Sequence, residues 1–165
     1  MPATRPPVVR LQPIDDASLV DVVLAAAVAD APPEEVMPPV PGPPGWSEAR
    51  RDAFRAHHLA RLGGLDGPAA EQCWAVLADD QVAGVVRVQR HPDGRHEVGI
   101  WLTNGWRGRG VGRAAIGAVR VEAARLGVDE LVAVTTADNA AALGALRPYA
   151  TRTRRRADGT VHVHL

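Results

Sequence analysis

The fold is decided by Arg107-Gly108-Arg109-Gly110-Val111-Gly112, with Arg113 behind it. A strand-like run, Glu97 to Thr103, precedes this stretch, and a helix-like run, Arg113 to Leu126, follows it. Glycine lets the backbone turn sharply and approach a ligand closely. The unpaired N–H groups and the dipole at the start of a helix attract an anion. Because three arginines add charged donors, the stretch predicts a turn that binds a pyrophosphate.

The spacing of the glycines excludes two well-known phosphate loops. A nucleotide-hydrolase loop needs a lysine after its last glycine, whereas Gly112 is followed by Arg113. A dinucleotide fingerprint needs a further glycine five positions after its first, which neither Gly108 nor Gly110 has. The spacing that remains is Arg-x-x-Gly-x-Gly, met by Arg107, Gly110 and Gly112. The alternative is a solvated turn rich in arginine and glycine.

Composition limits the class of protein and its compartment. The 165 residues suit one domain, and 19 basic residues balance 19 acidic ones, so no overall field favours nucleic acid or a membrane surface. No apolar run approaches the ~20 residues of a membrane span, and Met1–Arg10 lacks the apolar core of a secretion signal. The single cysteine, Cys73, suits a reducing cytoplasm, and its apolar neighbours predict a buried, inert thiol. We therefore expect a cytoplasmic protein without nucleic-acid or membrane partners.

Periodicity and turn residues divide the chain into a clear order of elements. A short strand at 8–11 precedes a helix near 19–27, and the segment Pro32–Gly45, which holds half of the fourteen prolines, predicts a stiff loop without regular structure. A second helix follows from Glu48 to about Leu62. The remaining predictions are strands at 73–77, 82–88 and 96–103, the helix after the glycines, a strand at 131–135, a short helix ending at 146, and a hairpin of 149–153 with 160–165.

This order is a mixed α/β order around a central sheet. Together with the Arg-x-x-Gly-x-Gly motif, it resembles the GNAT superfamily of acyl-CoA-dependent N-acetyltransferases over nearly the whole chain. The run Glu97–Leu102 resembles the branch that holds ribosomal-protein N-terminal acetyltransferases. The resemblance implies an α/β (α+β mixed) fold in a single domain, 1–165, with a mostly antiparallel mixed sheet flanked by helices. It also implies acetyl-CoA as the co-substrate, no metal, and a proline-rich segment (about 31–46) on the acceptor side.

The same resemblance implies the residues that bind coenzyme A. The strand before the turn binds pantetheine through its main chain, as an added strand would. An asparagine after the next strand lies near the pantetheine arm, and Asn139 matches it by position, although a helix cap is the alternative role. The implied set is Ile100, Trp101 and Leu102 for pantetheine, Arg107, Gly108, Arg109, Gly110, Val111, Gly112 and Arg113 for pyrophosphate, and Asn139.

Acetyl transfer to an amine requires that an ammonium with a pKa of ~10 first lose its proton. A carboxylate base would need a pKa raised by burial toward ~6–7. Glu97 is favoured as the base because it lies in an otherwise apolar strand, and His96 is the rival because its ordinary pKa of ~6.5 already suits the task. Strand alternation puts His96 with Val98 and Glu97 with Gly99, unless a bulge exchanges the faces. Deprotonation through water is the third possibility.

Many members of the resembled family protonate the leaving thiolate with a tyrosine on the last helix. Counted from Asn139, that position is Leu146, which is a departure from the family. Tyr149 is the only tyrosine, so it is the candidate acid, and a structural aromatic residue is the alternative. This departure keeps open a second reading, in which the protein is a non-catalytic acyl-CoA-binding or regulatory module.

The acceptor is less well defined by sequence. The stiff proline-rich segment and its acids, Glu34 and Glu35, favour a fixed pocket for a small-molecule amine or a peptide N-terminus. The arginines of 152–156 could contact phosphate, but a solvated turn is the simpler reading. His162 and His164 alternate on the last strand without a third metal ligand. A homodimer is expected only by analogy with the resembled family.

Overall fold

The computed structural model describes residues 5–165, so the expectation about Met1–Arg10 lies partly outside the described residues. The chain forms five α-helices and seven β-strands in this part. The strands are β1 (Val9–Pro13), β2 (Glu71–Ala78), β3 (Gln81–Arg90), β4 (His96–Leu102), β5 (Val132–Thr136), β6 (Arg152–Arg155) and β7 (Thr160–His164). The helices are α1 (Ala17–Asp30), α2 (Pro33–Val36), α3 (Glu48–Leu59), α4 (Val111–Arg125) and α5 (Ala140–Leu146). None of these helices is long and apolar enough to span a bilayer.

All seven strands join one sheet in the order β1-β2-β3-β4-β5-β7-β6. Every neighbouring pair is antiparallel except β4 with β5, which are parallel. Helices flank the sheet on both faces. The predicted α/β fold, with a mixed and mostly antiparallel sheet, is confirmed.

The parallel pair β4–β5 is short. It consists of two residue pairs, Glu97 with Val132 and Val98 with Ala133. On its other edge β4 stays paired with β3 as far as Leu102, opposite Gly84. The strands β4 and β5 therefore separate after Val98, and residues 99–102 keep one edge that no strand of the described chain covers.

The core has two parts because the central strands alternate their side chains between the two faces of the sheet. On one face, α4 contributes its buried residues to a cluster with Trp74, Val86 and Val98. On the other face, α1 presents a helical row that packs with Phe54 of α3 against Cys73 and Val85. The α1 row consists of Leu19, Val20, Val23, Leu24 and Ala27.

Burial raises the pKa of the Cys73 thiol to about 12, with the Glu71 carboxylate as the next cause. The thiol therefore stays protonated at neutral pH, because its deprotonation would leave an anion in a buried site.

The proline-rich segment differs from its prediction. It contains the single helical turn α2, which starts with a proline and closes with a hydrogen bond from the Met37 amide to the Pro33 carbonyl, 3.1 Å long. Proline is tolerated there because the first turn of a helix needs no N–H donor and the ring already holds a helical φ. The rule that proline breaks helices therefore does not apply to this first turn.

The rest of the segment is held by two side chains that come after it. The Trp46 indole N–H donates to the Ala31 carbonyl at 2.7 Å, which joins the two ends of the segment. The Arg50 guanidinium, on α3, donates to carbonyl oxygens inside it. These carbonyls belong to Val40, Gly42, Pro43 and Gly45. Since prolines supply no N–H groups, an arginine that satisfies several carbonyls stabilises a loop that cannot pair with itself.

Gly84 allows β3 and β4 to lie close together at the end of β4, beyond the point where β4 leaves β5. A Cβ atom on residue 84 would lie 2.0 Å from the Trp101 carbonyl oxygen and 2.9 Å from the Leu102 Cα. Both contacts are with backbone, which cannot move aside without breaking the strand pairing.

We expect Gly84→Ala to lower the free energy of unfolding by about 1–3 kcal/mol, the usual cost of overpacking a core. Urea denaturation measures this change. Gly144→Ala is the matched control, because no atom lies within 4 Å of the added methyl group. In the α5 helix that substitution should raise stability by roughly 0.5–1 kcal/mol. Equal stability of Gly84→Ala and the wild type would contradict the close approach.

Candidate active site

The glycine turn, residues 107–113, connects β4 to α4 and takes a left-handed backbone at two positions. Gly108 has φ of 70° and Gly110 has φ of 81°, conformations that residues with a Cβ rarely adopt. Gly110 is also the N-cap of α4, and no side chain caps this helix. The chain therefore passes from the turn into α4 while the first N–H groups of the helix stay uncovered.

The backbone amides of Gly108 to Arg113 have no hydrogen-bond acceptor among the described residues, 5–165. The next amide, that of Ala114, is the first to be bonded, to the Gly110 carbonyl at 3.1 Å. Free amides at the start of a fifteen-residue helix, together with its dipole, form an anion-binding position.

A cleft of about 670 Å³ lies in front of these amides, between the end of β4 and α5; we call it the turn cleft. Most of the residues predicted to bind coenzyme A line it. These are Ile100, Trp101, Leu102, Arg107, Gly108, Gly110, Gly112, Arg113 and Asn139. The remaining two point elsewhere: the Arg109 guanidinium lies over the Trp106 ring, 4.3 Å from its centroid, and the Val111 side chain is fully buried in the core. The buried Val111 therefore offers a ligand only its backbone amide.

Asn139 has the alternative role considered for it, that of a helix cap, and its contact with pantetheine stays a prediction. Its side-chain Oδ1 accepts a hydrogen bond from the Ala142 amide at 3.0 Å and so caps α5. The same residue lines the turn cleft. The cap fixes the start of α5, whose small residues form the wall of the cleft opposite β4.

Two acids from the first helices hold the glycine turn and the residues just before it, and sequence reasoning did not find these contacts. The Asp30 carboxylate accepts a hydrogen bond from the Gly105 amide at 2.6 Å. Glu35 forms an ion pair with Arg107, whose Nε also donates to the Leu102 carbonyl at 3.0 Å. The acids precede the turn by about seventy residues in sequence, so no local pattern could indicate the contact.

A second pocket, about 410 Å³, adjoins the turn cleft and shares Glu35, Ile100 and Trp101 with it. We call it the α3 pocket. Its walls come from α3, from β2 to β4 and from residues 34–38 of the proline-rich segment. The two spaces therefore meet at the free edge of β4.

The floor of the α3 pocket holds a buried carboxylate, Glu71, whose side chain is 3% exposed. The Arg61 Nε lies 2.9 Å from its Oε1, and an Arg87 Nη1 lies 3.7 Å from its Oε2. The His57 Nε2 is 3.9 Å away. Sequence analysis missed this group; the only signal was a glutamate at the start of a strand that is otherwise largely apolar.

Glu97, the favoured base, is not isolated in an apolar setting. Its carboxylate pairs with Arg87 at 3.2 Å, and the His91 Nε2 lies 3.2 Å from its other oxygen, although the geometry there is not that of a hydrogen bond. Arg87 and Gly99, rather than Glu97, line the α3 pocket. The neighbours of a strand residue in the sheet cannot be read from its own strand, which is why the sequence suggested an apolar environment.

His96, the rival base, lies on the opposite face of β4. It lines a separate depression of about 240 Å³ with Arg90, Gln72 and Gly127. The β3–β4 register is continuous from His96 to Leu102, so no bulge exchanges the two faces. The alternation expected from sequence is therefore retained.

Tyr149 packs against the middle of α4. A Cβ atom on Gly117 would lie 2.4 Å from the Tyr149 hydroxyl, and the Arg120 guanidinium lies over the ring, 5.2 Å from its centroid. Leu146, at the position counted from Asn139, is 4% exposed and belongs to the core. Neither residue is among those that line the turn cleft. The role of Tyr149 as the acid is untested, and its packing on α4 favours the alternative, a structural aromatic residue.

His58 lines the α3 pocket from α3 and is 4% exposed. Its ring stacks obliquely on Phe54, with centroids 4.6 Å apart, and its Nδ1 has no hydrogen-bond partner in the described part of the chain. Burial, followed by the nearby His57 and Arg61, lowers the pKa of His58 to about 4. Burial also lowers the pKa of His57. Both effects keep the imidazoles neutral at pH 7.

This pKa shift predicts how stability depends on pH. Between the ordinary histidine pKa of ~6.5 and the folded-state pKa of about 4, the unfolded chain binds a proton at His58 that the folded chain does not. The contribution of neutral His58 to the free energy of unfolding is therefore fully present above pH ~6.5. It is lost as the pH falls below that value, by about 3 kcal/mol in total.

Urea denaturation of the wild type and of His58→Gln between pH 4 and 7 measures this contribution. The variant should lose this part of the pH dependence, whereas His162→Gln, on the outer hairpin, should keep it. Parallel pH profiles of the wild type and His58→Gln would contradict the assignment.

The described residues contain no group of three or more His, Cys, Asp or Glu side chains arranged to hold a metal ion.

Comparison with known proteins assigns the family. A family model described as an acetyltransferase (GNAT) domain matches residues 9–148. The chain belongs to this acetyltransferase family, as its motif and element order suggested. No match was found among functionally curated proteins.

Solved structures agree with this fold. A ribosomal alpha-N-protein acetyltransferase, RimL, in complex with coenzyme A, superimposes with a TM-score of 0.69 at 16% identity, covering 99% of this chain and 96% of that one. The N-acetyltransferase PseH of Campylobacter jejuni, in complex with acetyl coenzyme A, gives 0.62 at 15% identity, covering 96% and 98%. An acetyltransferase from Salmonella typhimurium that modifies an N-terminal serine of a ribosomal protein gives 0.64 at 16%, covering 99% and 96%. At such identities these likenesses show the fold alone.

Proposed function

We propose that this protein transfers an acetyl group from acetyl-CoA to a primary amine, on a small molecule or at a peptide N-terminus. The observation that carries this proposal is the row of free amides from Gly108 to Arg113 at the mouth of the turn cleft. A diphosphate is a suitable ligand for amides at a helix N-terminus. Family membership and the coenzyme A complexes of RimL and PseH support the same ligand.

The uncovered edge of β4 is the proposed site of pantetheine. Main-chain groups of Ile100 to Leu102 would pair with the amides of the pantetheine arm, as an added strand would. The thioester would then lie at Ile100 and Trp101, the residues that the turn cleft shares with the α3 pocket. In this arrangement the acetyl group reaches the end of β4 from the turn cleft, and the amine reaches it from the α3 pocket.

In the proposed reaction the amine nitrogen attacks the acetyl carbonyl carbon, the carbon–sulfur bond breaks, and the thiolate of coenzyme A takes up a proton. A main-chain N–H near Leu102 would stabilise the negative charge on the carbonyl oxygen. Glu97 remains the stronger base candidate because it lies on the same face of β4 as Gly99 and Trp101, which line the α3 pocket. His96 would need a path from the other face of the sheet, so a relay through water is the second route.

The alternative function is a non-catalytic acyl-CoA-binding module. The burial of Leu146 and the packing of Tyr149 against α4 favour it, because neither residue offers a proton to a thiolate in the turn cleft. Calorimetric titration with coenzyme A, followed by thiol release from acetyl-CoA with a panel of amines and peptides, separates the two functions. Binding with thiol release supports the enzyme, and binding without release on any acceptor supports the module. A folded sample without affinity for coenzyme A would overturn both.

Gly112→Ala tests the proposed diphosphate site. The added methyl group would make ordinary contacts, 3.6 Å from the Leu102 Cδ1 and 3.9 Å from the Ala145 Cβ, so the fold should persist. It would stand within the turn cleft, and we expect the Kd for coenzyme A to rise about tenfold, a loss of ~1.4 kcal/mol. The control is Val121→Ala, on the exposed side of α4. Unchanged affinity in Gly112→Ala would place the diphosphate elsewhere.

Tyr149→Phe tests the acid. A general acid contributes about 100- to 10,000-fold to a rate, so loss of its hydroxyl would lower kcat by that order. Because the hydroxyl contacts Gly117 rather than the turn cleft, we expect kcat and the KM for acetyl-CoA to stay close to wild type. Initial rates at saturating acceptor show whether kcat falls or stays unchanged. A fall in kcat with an unchanged KM would establish Tyr149 as the acid.

A further inference from the structure

We infer that the acceptor is a small amino carboxylate, whose carboxylate is bound by Arg87 and Arg61 on the floor of the α3 pocket. This inference rests on the proposed acetyl transfer and specifies its substrate class. It is carried by the unused N–H groups of these two guanidinium groups, by the position of Arg87 relative to Ile100 and Trp101, and by the other polar groups of the pocket.

The two guanidinium groups of the α3 pocket are more exposed than the carboxylate with which both are paired. The side chains of Arg61 and Arg87 are 21% and 33% exposed, whereas that of Glu71 is 3% exposed, although it also lines the pocket. Glu97, the other acid paired with Arg87, is not among the residues that line the pocket. Of these four side chains, the guanidinium groups are therefore the ones that a ligand on the floor can contact most readily.

Each guanidinium keeps donors that the protein does not use. Arg61 donates from Nε to Glu71 and from Nη1 to the His57 carbonyl. Arg87 donates from Nη1 to Gln89 and from Nη2 to Glu97. This leaves the Nη2 of Arg61 and the Nε of Arg87 without an acceptor in the described part of the chain. Guanidinium groups bind carboxylates with strong, directional hydrogen bonds, so an acceptor with a carboxylate matches them.

The position of Arg87 sets the distance between the two groups of the acceptor. A Cβ atom on Gly99 would lie 3.0 Å from the Arg87 Nε and 3.1 Å from its Cζ, so the guanidinium rests directly on the backbone of residue 99. Ile100 and Trp101, where the pocket meets the turn cleft, follow immediately. A strand rises about 3.3 Å per residue, which puts the amine and the carboxylate of the acceptor roughly 3–7 Å apart. Such a spacing fits one small molecule that carries both groups.

The polar groups of the pocket favour such a zwitterion. Glu34 and Glu35 line it together with the two arginines, and Glu35 is paired with Arg107. A second cationic group, as in a diamine, could not accept a hydrogen bond from the unused N–H groups of Arg61 and Arg87. A peptide N-terminus has a neutral amide in place of the nearby carboxylate, and its carbonyl is a weaker acceptor for these N–H groups. The volume of about 410 Å³ suits a small molecule, with Val36, Met37 and Pro38 available to an apolar side chain.

The test compares acceptors that differ only in the carboxylate. L-methionine, L-leucine and L-phenylalanine are assayed beside their carboxamides and decarboxylated amines, with β-alanine and γ-aminobutyrate to vary the spacing and short peptides as a further arm. Hydrogen bonds to charged groups predict that kcat/KM is about 10- to 100-fold higher for the carboxylates, chiefly through KM. An equal or higher value for the amides, the amines or the peptides would overturn the inference.

Arg87→Gln and Arg87→Lys test the residue itself. The ratio of kcat/KM for an amino acid to that for its amide should fall toward one in Arg87→Gln and to an intermediate value in Arg87→Lys, which keeps the charge without the forked geometry. This ratio does not depend on how much of the variant is folded. Arg55→Gln is the matched control, because Arg55 also joins two acids, Asp21 and Asp52, but lies outside the pocket. A ratio unchanged in both Arg87 variants would contradict the assignment.

The outcomes separate this inference from the proposed function. Thiol release with amines of every kind, without preference for a carboxylate, would leave acetyl transfer in place and remove only the amino carboxylate. Binding of coenzyme A without thiol release from any acceptor would overturn the proposed function, and this inference with it.

Discussion

The separation of β4 from β5 is the constraint on which the rest of the structure depends. The two strands pair only at Glu97 and Val98, while β4 continues along β3 to Leu102. The close approach of β3 and β4 at Gly84 keeps β4 beside β3. The chain that follows β4 forms α4 before it returns as β5, so β5 does not cover the rest of β4. One strand edge is thereby left free in an otherwise continuous sheet. An uncovered edge is usually a liability for aggregation, so a protein that keeps one has a use for it.

The start of α4 lies at the mouth of this opening because the glycine turn follows β4 directly. The helix dipole and the free amides therefore face the same cleft as the free strand edge. Glu35 fixes the turn itself through Arg107, and Asp30 fixes the residues just before it through Gly105. A partly exposed ion pair such as Arg107 with Glu35 contributes only about 0–1 kcal/mol to stability, so its main effect is positional. This ion pair fixes the position of the α3 pocket wall relative to the glycine turn.

Much of this architecture could be predicted from the sequence because its signals are local. Turn glycines, helical spacing and strand alternation identified β4, the glycine turn and α4, and the cap at Asn139 placed α5. The floor of the α3 pocket could not be predicted in the same way. Arg61, Glu71 and Arg87 come from a helix and two strands, and only the folded sheet brings them together. The environment of Glu97 was misjudged for the same reason, since its partner Arg87 lies on the neighbouring strand.

The arrangement of that floor also explains why it holds two arginines. A carboxylate as buried as Glu71 needs a charged partner, because an isolated buried charge costs several kcal/mol. Arg61, at 2.9 Å, already supplies one. Arg87 lies farther away, at 3.7 Å, and divides its contacts between Glu71 and Glu97, so neither acid depends on it alone. Its guanidinium nevertheless lies against the backbone of Gly99 and donates to Gln89 and Glu97. An arginine restrained in this way loses little further conformational entropy when an anion binds, which is the physical condition for a preorganised recognition group.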